Sequence, residues 1–110
     1  MSNSLVVLVT VGNLEDGTKI SETLVSESLA ACVNIIPTMR SIYVWEGETH
    51  NDSESLLIIK TTEAAYGALE ARIKQLHTYA VPEIIALRID RGSDQYLAWI
   101  SESTTPISNT

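Results

Sequence analysis

The chain opens on Leu5-Val6-Val7-Leu8-Val9-Thr10-Val11, where almost every position is apolar and most are β-branched. A strand that faces water on one side alternates with polar residues, so this run predicts a strand buried on both faces. It stops at Gly12-Asn13. Asn13 is a good helix cap, and Glu15 and Asp16 fall in the first turn, where the helix dipole favours carboxylates. Ile20, Leu24, Val25, Ser28, Leu29 and Ala31 then follow helical spacing, which predicts a helix over about 14–30 with one apolar stripe. Gly17 weakens its opening turn. From Cys32 to Trp45 the chain is extended, and Pro37, which cannot donate to a ladder, predicts a bulge, bend or edge.

The polar stretch Glu46-Gly47-Glu48-Thr49-His50-Asn51-Asp52 predicts a hairpin loop between two strands. Ser55 to Thr61 is again apolar on both parities. Thr62 can cap the next helix, whose stripe is Tyr66, Leu69, Ile73 and Leu76, with Glu70 and Lys74 paired on the outside. Glu83 to Asp90 reads as a strand, Arg91-Gly92 turns the chain, and Ser93 or Asp94 caps a last helix carrying Tyr96, Trp99 and Ile100. The Ser/Thr-rich end from Ser101 is expected to fray, with a core over about 4–102 and a tail at 103–110. No repeat or linker divides positions 1–110, which read as one domain.

The order β-α-β-β-α-β plus a terminal helix is the α+β, ferredoxin-like sandwich plan. Both helices of that plan cover one sheet face and leave the other bare. Yet the first and third strands carry aliphatic groups on both parities: Leu5, Val7 and Val9 against Val6 and Leu8, and Leu57 and Ile59 against Leu56 and Ile58. At roughly 25 cal/mol per Å² of apolar surface, covering such a face is worth many kcal/mol, and a second copy of the chain is the expected cover. The pattern by itself predicts an oligomer.

Composition narrows the partners. The 110 residues hold 7 Lys plus Arg against 14 Asp plus Glu, a net charge of −7, and the bases are scattered. Phosphate-backbone binding needs clustered cations, so nucleic acid is excluded as a partner. With Phe absent, the core must be built from Val, Ile, Leu and Ala. A single cysteine, Cys32, cannot close a disulfide within the chain. No apolar run is long enough to span a bilayer, and Met1-Ser2-Asn3-Ser4 has no basic leader character. The expectation is a cytoplasmic protein with no membrane partner.

Five segments occur together in order: Leu29-Ala30-Ala31-Cys32-Val33-Asn34, Ser41-Ile42-Tyr43-Val44-Trp45-Glu46-Gly47, Glu54 ahead of Ile59-Lys60-Thr61, Pro82-Glu83-Ile84, and Tyr96-Leu97-Ala98-Trp99. Over about Ser4 to Glu102 the chain resembles the CutA divalent-cation tolerance family of small ferredoxin-like proteins. The resemblance implies a tight homotrimer and a role in the response to metal ions. That family usually carries His-Pro-Tyr before the Pro-Glu, whereas here the segment is His77-Thr78-Tyr79-Ala80-Val81-Pro82-Glu83. Loss of the proline is expected to loosen the turn after the second helix. Burial of a continuous aliphatic face among three copies is also expected to raise the melting point above the ordinary band of about 45–65 °C.

No metal or other cofactor is obligatory on this reading; a divalent ion such as copper is the candidate. Its possible donors are His77, Cys32 and His50. Cys32 offers a soft thiolate, but its apolar neighbours favour a buried, inert thiol. His50 lies among Glu46, Glu48, Asp52 and Glu54, where a hydrated loop competes with weak ion binding. His77 suits either a dipole-favoured helix end or a ligand contact. No Cys-x-x-Cys, His-x-His or His-Glu-x-x-His accompanies them. Trp45, Tyr96 and Trp99 are candidate interface anchors. The alternative for them is a cleft at the subunit boundary, with Glu54, Lys60, Tyr79 and Glu83 as its polar groups. Glu54 and Lys60 are six apart on one strand, on the same face but about 20 Å apart, so they are no direct pair within a chain.

Three functions compete. The first is a non-enzymatic trimer linked to divalent metal tolerance, with weak copper binding. The second resembles the PII-like signalling trimers, which hold small effectors between subunits; scattered bases disfavour a nucleotide and favour an uncharged or cationic effector. The third is a small-molecule enzyme on an α+β barrel, for which no nucleophile elbow, phosphate loop or triad is present.

Overall fold

The computed structural model describes residues 3–104. The elements run β1 (Ser4–Val11), α1 (Leu14–Ser26), β2 (Cys32–Trp45), β3 (Glu48–Thr62), α2 (Glu63–Leu76), β4 (Ile84–Arg88) and α3 (Asp94–Ser103). The sheet order is β2-β3-β1-β4, with every neighbouring pair antiparallel. This is the ferredoxin-like arrangement, with α3 added after the last strand.

The caps fall where side-chain chemistry places them. Asn13 accepts the Asp16 amide at 2.8 Å, Thr62 accepts that of Ala65, and of the two candidates for the last helix it is Ser93 that accepts the Tyr96 amide. α1 stops at Ser26, short of the expected end near position 30, because Ser28 takes a positive φ of 60° and turns the chain. The amides of Leu29 and Ala30 then close on the Leu24 carbonyl, and Leu29 and Ala30 enter the core from a turn. The expected fraying from Ser101 meets an ordered helix end: Thr104 is buried and its hydroxyl donates to the Ile100 carbonyl at 2.8 Å. The rest of the expected tail, 105–110, lies outside the described residues.

One sheet face carries the core. Leu5, Val7, Val9 and Val11 of β1 and Leu57 and Ile59 of β3 pack under Ile20 and Leu24 of α1 and Leu69 and Ile73 of α2. On the other face the register builds rows across the strands. Leu87, Val6, Lys60 and Cys32 form one, and Ile85, Leu8, Ile58 and Asn34 the next. Thr10, Leu56 and Ile36 form a third. No element of the described chain covers these rows with a helix; Ile36, Ile85 and Leu87 stand 41%, 48% and 55% exposed.

The largest departure from the sequence pattern is the β2–β3 hairpin. The polar stretch from Glu48 onward is strand, paired residue by residue from Trp45↔Glu48 down to Met39↔Glu54, and the loop shrinks to Glu46-Gly47. Both turn residues have positive φ, 51° and 80°, the conformation of a two-residue type I′ turn whose twist matches that of paired strands. Polar residues can stay in strand here because this arm is solvated and its ladder is reinforced by side chains. Arg40 donates to the side chain and backbone of Asn51, and Tyr43 stacks on His50 with ring centroids 5.2 Å apart. Lower down, the register shifts between Ile36 and Met39, so Pro37 does mark a bulge; the Ser55 hydroxyl donates to its carbonyl at 2.6 Å.

Candidate functional site

The bulge has a consequence for side-chain direction. Beyond it, Met39, Ser41, Tyr43 and Trp45 of β2 point to the same face as Glu54, Asp52, His50 and Glu48 of β3, which is the uncovered one. The chain leaving α2 crosses toward this face before entering β4. The two segments enclose a cleft of about 470 Å³ lined by Thr10, Tyr43, Trp45, Glu54, Tyr79, Ala80, Val81 and Glu83. Four candidates from the sequence, Trp45, Glu54, Tyr79 and Glu83, thus converge on one cavity.

His77 fixes the crossing segment. Its Nδ1 accepts the Tyr79 amide at 3.1 Å, which assigns the proton to Nε2, and Nε2–H donates to the Thr10 carbonyl at 2.7 Å. Both ring nitrogens are therefore engaged. Tyr79 then lays its ring over Gly12, where a Cβ would come within 3.3 Å of the phenol oxygen, and donates its hydroxyl to Glu54 Oε2 at 2.8 Å. The expected loosening at Thr78 and Ala80 is opposed by these three contacts.

Two phenols in the cleft are held neutral. Burial, then the Glu54 carboxylate, pushes Tyr79 from the ordinary 10.0 up to about 12. Tyr43 is also raised, chiefly by its hydrogen bond to Asp52 Oδ2 at 2.6 Å. A neutral phenol bound to a carboxylate is a donor and an aromatic surface rather than a base. Because the folded Tyr79 holds its proton more tightly than the unfolded chain does, its contribution to stability is complete below pH 10.0 and is lost as pH rises toward about 12. In an ultraviolet phenolate titration of the native protein, Tyr79→Phe is expected to remove a late-titrating tyrosine. It should also flatten the fall in melting temperature across that window; an unchanged titration curve would refute the assignment.

The other candidates lie elsewhere. Cys32 is half-buried on the uncovered sheet face, with Sγ 3.8 Å from Asn34 Oδ1, and Lys60 from the neighbouring strand donates to the same oxygen. Lys60 stands in the row opposite Val6, away from the cleft. His50 is on the hairpin arm against Tyr43, and its ring nitrogens carry no hydrogen bond among the described residues. Tyr96 and Trp99 pair with each other on α3 at 5.5 Å between ring centroids and do not line the cleft. His77, His50 and Cys32 are not gathered into one centre: among the described residues no group of three or more His, Cys, Asp or Glu could hold a metal ion. Sequence reasoning missed Thr10, Tyr43, Ala80 and Val81 as lining residues. For Tyr43 a signal existed, since it sits two residues from Trp45 on one strand and so shares its face.

The strand order, the two covering helices and the terminal helix define an α+β protein of the ferredoxin-like class. Comparison with known proteins carries this further. The CutA1 divalent ion tolerance protein family matches residues 5–103, and the chain belongs to that family. It is 52% identical over 101 residues to the chloroplastic CutA protein of Arabidopsis thaliana, covering 92% of this chain and 56% of that one. It is 52% identical over 99 residues to the divalent-cation tolerance protein CutA of Thermus thermophilus, covering 90% of this chain and 96% of that one. The chain thus spans little more than half the length of the plant relatives and nearly all of the bacterial one. A crystal structure of CutA1 from Oryza sativa superposes with a TM-score of 0.92 at 49% identity, covering 94% of this chain and 95% of that one. Among the described residues no helix is long and apolar enough to cross a membrane.

Proposed function

We propose that this chain works as a cytoplasmic, non-enzymatic homotrimer in divalent-cation tolerance. The observation that carries self-assembly is the aliphatic sheet face formed by Val6, Leu8, Leu56, Ile58, Ile85 and Leu87, which the chain's own helices leave uncovered, while the number three comes from the family resemblance. A closed symmetric assembly buries such a face without leaving a sticky surface. The non-enzymatic reading is supported by the cleft chemistry: its two phenols are pinned as neutral donors to carboxylates.

Metal handling follows from the family, and the donor set limits its form. Among the described residues no closed metal centre is built, so copper uptake is proposed to be modest and surface-borne, with copper first because Cu(II) heads the divalent affinity order. His77, a leading donor on sequence grounds, is committed at both nitrogens, and Cys32 lies on the face that a second copy would cover. His50, on the face it shares with Glu48 and Asp52, is the remaining imidazole. Calorimetry on chelator-treated protein is expected to show copper uptake weakened at least tenfold by His50→Ala, since an imidazole is the strongest donor on that strand face. Cys32→Ala should leave uptake unchanged. Loss of uptake in Cys32→Ala with His50→Ala unaffected would overturn the surface assignment in favour of a thiolate site. Light scattering at micromolar concentration tests the assembly, and a stable monomer would refute the trimer.

A second reading, a signalling trimer that takes a small effector, is supported by the cleft of about 470 Å³, a volume within the usual range for small-molecule sites.

A further inference from the structure

We propose that this cleft binds a small organic monocation, an alkylammonium or trimethylammonium group, seated on the rings of Tyr43, Trp45 and Tyr79 and facing the carboxylates of Glu54 and Glu83. The proposal rests on the effector reading and adds the chemical class of the ligand. Three aromatic side chains of one protomer converge on one cavity and stand 42%, 58% and 39% exposed within that single chain, although the whole chain has only two Trp and four Tyr. Aromatic faces carry negative charge density and attract weakly hydrated cations.

The polar groups select the same sign. None of the eight lining residues is Lys or Arg, and two of them are Glu. Glu54 uses Oε2 to accept from Tyr79, which fixes the carboxylate in the wall, while its Oε1 and the Glu83 carboxylate take no hydrogen bond or ion pair among the described residues. Both phenol protons are already spent, on Glu54 and Asp52, so the tyrosines offer no free donor to an anion. A bare divalent ion is a poorer fit. It needs several oxygen or nitrogen ligands at close range, and no group of three or more such residues is present among the described residues. A soft, bulky cation needs only faces and nearby charge.

The test uses the full chain after chelator treatment, with three probes of similar size: benzyltrimethylammonium, benzyl alcohol and benzenesulfonate. Binding is read by calorimetry and by the indole N–H resonance of Trp45. The cation is expected to saturate one site per chain and to shift that resonance. It should bind about tenfold or more tightly than the neutral alcohol, and the sulfonate should not bind. Glu54→Gln keeps a carbonyl acceptor for Tyr79 and removes only the charge, so it is expected to weaken the cation about tenfold and leave the alcohol unchanged. Trp45→Leu should weaken the cation similarly, and Trp99→Leu, outside the cleft, should not. Equal binding of cation and alcohol, or a cation indifferent to Glu54→Gln, overturns the charge assignment while leaving the effector reading standing. If no probe saturates, both fall.

Discussion

Leu8→Glu is expected to leave folded monomers in place of the proposed homotrimer. Leu8 lies on the central strand β1, flanked across the ladder by Ile58 on one side and Ile85 on the other, on the face the helices do not cover. Its neighbours toward the core, Val7 and Val9, are fully buried and point the opposite way, so the substitution spares the interior. In the assembly each copy would lose the burial of one leucine, about 1.5–3 kcal/mol. Each would also have to desolvate a carboxylate, at a further cost of several kcal/mol. Summed over three copies, this shifts the association equilibrium by many orders of magnitude. Light scattering should report a one-chain mass, with the far-ultraviolet spectrum retained. A variant that keeps the mass of the parent protein would show that this face is not the interface. The parent's melting temperature should also rise with protein concentration, as unfolding coupled to dissociation requires, and lie above about 65 °C.

Gly17→Val is expected to destabilise the protein by about 3 kcal/mol, the upper part of the range for overpacking a filled core. A Cβ at Gly17 would meet Val11 Cγ2 at 3.0 Å and Leu57 Cδ2 at 3.2 Å, both side chains held inside the core. This glycine lets the first turn of α1 sit directly on the sheet. Gly67, in the middle of α2, has nothing within 4 Å of its Cβ position. Gly67→Ala should therefore stabilise by about 0.5–1 kcal/mol through helix propensity alone. Chemical denaturation of both variants at matched protein concentration checks the pair. Equal effects of the two substitutions, in either direction, would show that the close approach at Gly17 does not matter.

The two glycines illustrate what is legible in a one-dimensional pattern. Gly17 reads as a helix-weakening residue in the sequence, Gly67 is a glycine inside a helix too, and nothing local distinguishes them. The difference lies in Val11 and Leu57, which the fold brings to one and not to the other. The hairpin makes the same point. Seven polar residues in a row carry the local signature of a loop, yet most of them pair in register with β2, because a two-residue turn at Glu46-Gly47 and cross-strand contacts such as Tyr43 with His50 outweigh composition. The cleft was half legible. Trp45, Glu54, Lys60, Tyr79, Glu83, Tyr96 and Trp99 could be named as candidates for a cleft between subunits; within one protomer Trp45, Glu54, Tyr79 and Glu83 line one cavity and the other three do not, since strand register and a bulge decide which residues share a cavity.

The sequence by itself determined the element order, the caps Asn13 and Thr62, an irregularity at Pro37, the two-faced apolar strands and the resemblance to the family. Each of these rests on short-range chemistry or on periodicity, which a linear chain records directly. Only the tertiary structure decided the role of His77, whose two ring nitrogens are taken by a backbone amide two residues away and by a carbonyl on β1, sixty-seven positions back in the chain. It alone decided that Tyr79 is held neutral against Glu54 and that Cys32 faces outward beside Lys60. The decisive contacts among these, His77 with Thr10, Tyr79 with Glu54 and Lys60 with Asn34, join residues far apart in sequence, and their geometry is set by how strands pair and how helices lie across them, which no local pattern encodes.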